Sequence, residues 1–171
     1  WLGMETRETV QPADFRQLGE ILGMAFDRST AEVMEEGMVP LSMKEGNRYL
    51  EVISRAKLRC ISMEQEYNDR GDYDLHWSMV KRVDQVYAAY KSDNGKFDYT
   101  DMVELFVKQG TSPVLDVLIV DEAQDLTPLQ WKQVAILKER ASRVYYAGDD
   151  DQCIHRWNGV DLHSFMNACD N

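Results

Sequence analysis

The sequence predicts an α/β fold in which a helical first half is followed by part of a parallel β-sheet. In the first half, apolar side chains recur at spacings of three and four residues, which is typical of helices. In the second half, two short apolar runs rich in β-branched and aromatic residues, at 117–120 and 143–147, predict strands. A helix-length segment separates them, and such connections join parallel strands by a right-handed crossover. With 171 residues, of which 44% are hydrophobic, the chain is long enough to bury a core.

The first predicted helix begins at Asp14, because the segment from Asp14 to Gln17 has the polar ends of a capping box. Residues 37–46 contain two glycines and a proline and are predicted to form a loop. One long helix is expected next, ending at Arg70-Gly71-Asp72, because six side chains spaced alternately by four and three residues share one face. They are Tyr49, Ile53, Ala56, Cys60, Met63 and Tyr67.

Two further helices are predicted before the strands. The first carries a helical stripe and ends at Asn94-Gly95, and the second runs from about Tyr99 to Lys108 and is closed by Gly110. The stripe consists of Trp77, Val80, Val83, Tyr87 and Tyr90. We interpret residues 1–92 as a helical domain and residues 93–171 as part of an α/β domain. Two strands do not complete a parallel sheet, so further strands are expected outside this sequence or in unrecognised elements.

The first strand is expected to be buried on both faces, because residues 117–120 are all apolar. A helix follows, with Thr127 as N-cap, Pro128 at the first helical position and Gln130 completing a capping box. This helix is expected to end near Arg140. A last helix is predicted to begin near Asp161.

Acidic turns follow both predicted strands. Asp121 and Glu122 come directly after the first strand, and residues 149–151, all aspartates, come soon after the second. Ligands of open parallel sheets bind beyond the carboxyl ends of the strands. Clustered carboxylates repel one another, and Mg²⁺ relieves this repulsion when it is held by one or two carboxylates and substrate phosphates. The turns therefore predict a nucleotide site in which Asp121 holds Mg²⁺ and Glu122 activates a water molecule.

Three segments resemble motifs of the superfamily-one helicases of the UvrD/Rep type. Residues 117–130, VLIVDEAQDLTPLQ, resemble the Walker B motif of that family. Residues 147–161, AGDDDQCIHRWNGVD, resemble its next motif, and Lys96–Met102 resembles a DF-x-D segment that precedes Walker B. The helical half is similar in type and position to subdomain 1B, which is inserted in the first RecA-like domain of these P-loop motors.

The resemblance implies an ATP-dependent DNA helicase or translocase, usually moving 3′ to 5′, with a role in DNA repair or replication. Asp121, Glu122 and Gln152 would contact ATP, with Asp121 holding Mg²⁺, Glu122 acting as general base and Gln152 sensing the γ-phosphate. Gln124 and Asp125 would stabilise the loop and link it to neighbouring motifs.

The same resemblance implies a DNA contact in the second motif. His155 and Trp157 would stack on bases of single-stranded DNA. The family usually has an arginine where Asn158 stands, so Arg156 is expected to take its place. The partners implied are single-stranded DNA and a duplex junction.

The phosphate-gripping part of such a site is missing from these residues. No G-x-x-x-x-G-K-[ST] sequence occurs in the chain, and its first residue is Trp1 rather than methionine. We therefore expect a fragment that hydrolyses ATP negligibly by itself, with ATP and Mg²⁺ bound only in a longer protein.

The composition indicates the charge of the protein surface and the cellular compartment. The net charge of −11 argues against a broad basic surface, so DNA binding has to rest on particular residues. No apolar run is long enough to span a membrane, and the three unpatterned cysteines suit free thiols in a reducing cytosol. We expect a monomeric, cytoplasmic and DNA-associated protein.

Three alternatives stay open at this point. The chain could be a non-catalytic DNA-binding or interaction module, or a metal-dependent nuclease that uses Asp121, Glu122 and Asp149. The third alternative is a zinc site built from Cys153, His155, His163 and Cys169, although their spacing matches no common zinc motif.

Overall fold

The computed structural model describes residues 9–26, 44–71, 74–149, 151 and 159–169. Within these residues, the first five helices are α1 (Pro12–Leu22), α2 (Glu45–Leu58), α3 (Met63–Arg70), α4 (Trp77–Asn94) and α5 (Tyr99–Gln109). They are followed by strand β1 (Leu118–Val120), a 3₁₀ turn (Ala123–Asp125), helix α6 (Pro128–Lys138), strand β2 (Val144–Tyr146) and helix α7 (Leu162–Cys169). The two strands are parallel neighbours, which confirms the predicted α/β class.

The described residues form two compact units. The helical unit comprises the described parts of Met4–Ala56 together with those of Ile61–Asp101. The sheet unit comprises Lys57–Cys60 and the described parts of Met102–Asn171. The division into domains at residues 92 and 93 stays a prediction.

The start of α1 corrects the first prediction. The helix begins at Pro12, and Asp14 is its third residue rather than its N-cap. The Asp14 carboxylate reaches back and accepts the backbone N–H of Gln11 at 2.6 Å. Pro12 was the missed signal, because proline has no N–H to lose at the first helical position. Phe15, Leu18 and Leu22, spaced by three and four residues, form the buried face of α1.

The prediction of one long second helix is wrong, because the helix is interrupted around Cys60. Helix α2 ends at Leu58, and Cys60 has a left-handed φ of 56° with an exposed side chain. Ser62 then caps α3 by accepting the backbone N–H of Gln65 at 3.1 Å. The predicted loop at 37–46 also extends too far, since α2 begins at Glu45; residues 37–43 lie outside the described part.

Helices α4 and α5 confirm their predictions. Gly95 ends α4 in a left-handed conformation, and the N–H of Gly110 donates to Phe106 O at 2.7 Å after α5. The core of the helical unit consists of residues from α1, α2, α4 and the segment before α4: Phe15, Leu18, Leu22, Tyr49, Leu50, Val52, Ile53, Leu75, Val80, Val83 and Tyr87.

In the sheet unit, the register pairs Leu118 with Val144 and Val120 with Tyr146. The capping box of α6 is confirmed, because the N–H of Thr127 donates to Gln130 Oε1 at 2.9 Å. Helix α6 ends at Lys138, two residues before the predicted end.

The sheet is covered on one face only among the described residues. Val120, Ala123, Val134 and Phe165 form the core on the covered face. On the opposite face the paired side chains of Ile119 and Tyr145 are 68% and 54% exposed, so burial of β1 on both faces was a wrong expectation. None of the described helices is long and apolar enough to cross a membrane.

Candidate functional site

The candidate site begins with a strained turn directly after β1. Asp121 and Glu122 are both exposed, and Glu122 has φ 49° and ψ 39°, which places it in the left-handed region. Residues other than glycine rarely adopt this backbone conformation, and those that do are concentrated at functional sites. The Asp121 carboxylate accepts the N–H of Glu122 at 3.0 Å, so the turn is held by its own acidic side chain.

Backbone hydrogen bonds join this turn to the loop after β2. The N–H of Ala147 donates to Val120 O, and the N–H of Ala123 donates to Ala147 O, both at 2.9 Å. The parallel ladder thus continues past the ends of both strands. It places Asp121 and Glu122 beside Gly148 and Asp149, at the carboxyl ends of the two strands, where the sequence predicted a nucleotide site.

Gln124 connects the two loops through its side chain. It is 1% exposed, its Nε2 donates to Glu122 Oε2 at 2.7 Å, and its Oε1 accepts the N–H of Asp149 at 3.2 Å. A Cβ atom at Gly148 would lie 2.3 Å from Gln124 Oε1. Gly148 was not among the predicted site residues, and the available signal was its position between a strand and an acidic run.

The 3₁₀ turn is also attached to α7. The N–H of Asp161 donates to Leu126 O at 2.9 Å, and the Asp161 carboxylate accepts the N–H and hydroxyl of Ser164 at 3.1 and 2.6 Å. Asp161 therefore caps α7 while its backbone holds the chain after the acidic turn. Asp125 Oδ1 is buried without a hydrogen-bond partner in the part of the chain that the structure describes.

The acidic side chains have the donor chemistry that Mg²⁺ prefers. Asp121 is exposed at the strand end, and one carboxylate with water and phosphate oxygens is a sufficient ligand set for this ion. Asp149 Oδ1 accepts the N–H of Asp151 at 3.0 Å, so this carboxylate supports its own loop. Within the part of the chain that the structure describes, no three His, Cys, Asp or Glu side chains are grouped to hold a metal ion.

Several predicted site residues lie outside the described residues. These are Gln152, His155, Arg156 and Trp157, together with Asp150, Cys153 and Asn158. Of the residues in the zinc alternative, His163 is exposed on α7 and its Nδ1 lies 2.8 Å from the side-chain nitrogen of Asn167.

Two aspartates of the segment Lys96–Met102 contact a buried lysine in the helical unit. Lys91 Nζ lies 2.6 Å from Asp98 Oδ2, also pairs with Asp101, and stands 4.3 Å from the centre of the Tyr87 ring. Burial, followed by the charge of Asp98, raises the pKa of Tyr87. These two aspartates therefore neutralise Lys91 and fix the start of α5.

Comparison with known proteins covers nearly the whole chain. Residues 5–171 match the family model for the UvrD/REP helicase N-terminal domain. The chain is 29% identical over 93 residues to ATP-dependent DNA helicase Rep of Buchnera aphidicola, covering 49% of the chain and 14% of that protein. It is 28% identical over 111 residues to DNA helicase II of Haemophilus influenzae, covering 60% and 15%.

A third relative, ATP-dependent DNA helicase PcrA of Leuconostoc citreum, is 26% identical over 174 residues, covering 89% of the chain and 23% of the relative. The chain thus spans less than a quarter of the length of each of these relatives. The acidic turn, its junction with the following loop and the family match lead to one conclusion: the chain belongs to the UvrD/REP helicase N-terminal domain family.

Proposed function

We propose that this chain is part of a motor that couples ATP hydrolysis to movement along single-stranded DNA and to unwinding of the duplex, in the 3′ to 5′ direction. The observation that carries the proposal is the strained Asp121-Glu122 turn, joined by backbone hydrogen bonds to the loop at Ala147–Asp149. Relatives that carry the names of ATP-dependent DNA helicases support the reaction class.

In this proposal the two carboxylates of the turn divide the work at the nucleotide. Asp121 would hold Mg²⁺, which neutralises charge on the phosphates during transfer. Glu122 would accept a proton from the attacking water, because its carboxylate is exposed beyond the strand end and next to Asp121. The lysine that grips the phosphates would belong to a longer protein, because no G-x-x-x-x-G-K-[ST] sequence occurs here.

The loop after β2 would connect the nucleotide to DNA. Gln152 would contact the γ-phosphate, since an uncharged amide can both donate and accept hydrogen bonds. His155 and Trp157 would stack on bases, with Arg156 contributing a positive charge. Stacking tolerates any base sequence, which suits a protein that moves along a strand.

The general-base role is tested by Glu122→Gln in the longer protein that contains this chain. We expect kcat for DNA-stimulated ATP hydrolysis to fall by about 10²–10⁴-fold, because the water loses its proton acceptor. ATP affinity, measured by titration with a fluorescent analogue, should change by no more than a few-fold.

The matched control for this test is Asp116→Asn, which removes an exposed carboxylate just before the opposite end of β1. It should leave kcat unchanged. If Glu122→Gln retained the wild-type rate, Glu122 would not be the base and the proposal would fail at its central residue.

The DNA contact is tested separately with Trp157→Ala and His155→Ala. Removing one stacking platform should weaken binding of an oligo-dT strand, measured by fluorescence anisotropy, by about 5- to 150-fold. His163→Ala is the control, because it removes an exposed histidine on α7. Equal affinities for all three variants would remove His155 and Trp157 from the DNA site.

A further inference from the structure

We infer that Gln124 is a positioning residue whose side-chain amide couples the backbone at Asp149 to the carboxylate of Glu122. The inference deepens the proposed function and rests on it for the role of Glu122 as base. The bridge itself rests on contacts within the sheet unit.

The direction of the amide follows from the chemistry of its two partners. A carboxylate only accepts hydrogen bonds, and a backbone N–H only donates one. Nε2 must therefore face Glu122, at 2.7 Å from Oε2, and Oε1 must face the N–H of Asp149, at 3.2 Å. Flipping the amide would place like groups against each other at both ends, so the two contacts specify one orientation.

Rigidity makes the two contacts interdependent. The amide group is planar, and Gln124 is 1% exposed with the fully buried Ala123 as its chain neighbour. The side chain has little room to adjust one end while keeping the other. A displacement of the Asp149 backbone would therefore break its own hydrogen bond or move Nε2 away from Glu122.

Gly148 provides a second observation at the same end of the amide. A Cβ atom there would lie 2.3 Å from Gln124 Oε1 and 3.1 Å from the ring of Phe165. The backbone of the loop after β2 thus lies directly against the amide, which only a residue without a side chain permits. The Phe165 ring lies close to the same point, so both neighbours leave no room for a side chain at residue 148.

These contacts define a path from one loop to the other. Asp149 lies three residues before Gln152, which is the proposed γ-phosphate contact. A change in the loop on nucleotide binding would reach the Glu122 carboxylate through Gln124. Gln124 would then set when Glu122 is free to take a proton, without touching the nucleotide itself.

The bridge is tested in the 171-residue chain, independently of ATP hydrolysis. Glu122→Ala removes an exposed side chain whose Oε2 accepts a hydrogen bond from Gln124 Nε2, so the fold should be kept. We expect the backbone amide resonance of Asp149 to shift and its hydrogen exchange to accelerate by about fivefold. Asp116→Ala, the matched control, should leave the Asp149 resonance in place. An Asp149 amide that does not respond to Glu122→Ala would overturn the inference.

A second pair of variants separates the two ends of the amide. Gln124→Glu keeps an acceptor for Asp149 and removes the donor to Glu122, whereas Gln124→Met removes both. Protection of the Asp149 amide should persist in the first and be lost in the second. In the longer protein both should lower kcat at least about tenfold with KM for ATP within about twofold, because positioning rather than binding is lost.

The results distinguish this inference from the proposed function. If Glu122→Gln leaves ATP hydrolysis intact, the proposed function fails, while the amide measurements still decide whether the bridge exists. If Glu122→Gln abolishes hydrolysis but both Gln124 variants turn over at the wild-type rate, Glu122 is the base and Gln124 does not position it.

Discussion

Two residues with positive φ show how the same local strain serves different purposes. Among the described non-glycine residues, positive φ values occur at Cys60, 56°, and Glu122, 49°. Each costs roughly 1–2 kcal/mol relative to a relaxed backbone. At Cys60 the strain makes a sharp break between two helices. At Glu122 it turns a carboxylate towards the amide two residues later.

The strain at Cys60 predicts a stabilising substitution. Cys60→Gly should raise the free energy of unfolding by about 0.5–1 kcal/mol, because glycine adopts this φ freely and the exposed thiol loses no packing. Urea denaturation followed by circular dichroism measures the change. Cys60→Ser, which keeps the Cβ atom, should stay within about 0.5 kcal/mol of the wild type. Equal effects of the two variants would show that the backbone is relaxed at this residue.

Tyr90 predicts a loss of stability at alkaline pH. Its hydroxyl oxygen lies 2.7 Å from both Asp14 Oδ1 and Gln17 Oε1, and its single proton serves one acceptor at a time. Burial, together with the hydrogen bond and charge of Asp14, raises the pKa of Tyr90 to about 12. An unfolded tyrosine titrates near pH 10. The stability contributed by Tyr90 is therefore complete below about pH 10 and is lost towards pH 12, at up to about 1.4 kcal/mol per pH unit.

Tyr90→Phe tests this sign. At pH 7 the variant should be less stable by roughly 1 kcal/mol, because the hydroxyl contacts are lost. Between pH 10 and 12 the gap from wild type should shrink and then change sign, because only the wild type loses the Tyr90 contribution. Tyr99→Phe serves as control because Tyr99 is highly exposed. A gap that stays constant across this range would contradict the raised pKa.

At the scale of elements, buried ion pairs join the two helices on either side of the break. Glu66 of α3 is fully buried and lies 2.8 Å from Arg55 of α2, while Arg70 lies 3.0 Å from Glu51. A buried charge whose partner is removed costs far more than a surface pair contributes. The α2–α3 pairing thus depends on charges that face inward.

Arg55→Met should therefore destabilise the chain by about 3 kcal/mol, because the buried Glu66 carboxylate loses a cation that lies 2.8 Å away. The comparison is Lys108→Met, which breaks a 3.9 Å pair with Glu104 at a lysine side chain that is 68% exposed. That change should cost no more than about 0.5 kcal/mol. Similar midpoints in denaturant for the two variants would show that burial does not govern the strength of the Arg55 pair.

The sequence predicted the ends of helices correctly where contacts between neighbouring residues determine them. Thr127, Pro128 and Gln130 specify a helix start by contacts within four residues, and all three occupy their predicted positions. The break at Cys60 carries no such signal. Met63 and Tyr67 pack against the same core as Tyr49 and Ile53, so their spacing agrees with one continuous helix. Only the tertiary fold determines that a turn intervenes.

For the whole molecule, the sequence predicted that the loops after β1 and β2 contribute to one site. It did not predict which side chain connects them. The parallel pairing of β1 and β2 follows from strand, helix and strand, and it brings Glu122 near Asp149. The bridge through Gln124 requires a left-handed Glu122 and a glycine at residue 148, neither of which periodicity reveals. The exposure of Ile119 was not predicted for a different reason. A run of apolar residues does not indicate which face of a strand is covered by other parts of the same chain.

We expect the 171-residue chain to have no ATP hydrolysis activity of its own. Purified as 171 residues, it should release phosphate from ATP at the background rate with or without single-stranded DNA, because no phosphate-binding lysine motif is present. A colorimetric phosphate assay measures this, with the longer protein as positive control. DNA-stimulated release by the 171 residues would mean that another group grips the phosphates.

The exposed face of the sheet has a practical consequence for anyone purifying this chain. Ile119 of β1 and Tyr145 of β2 form an exposed apolar patch. Among the described residues, these two strands pair only with each other. Two molecules can align such patches and add strands edge to edge. Ile119→Lys should therefore lower turbidity and light scattering at high protein concentration without altering the circular dichroism spectrum. Solubility of the isolated chain thus depends on a surface that has no part in the proposed chemistry.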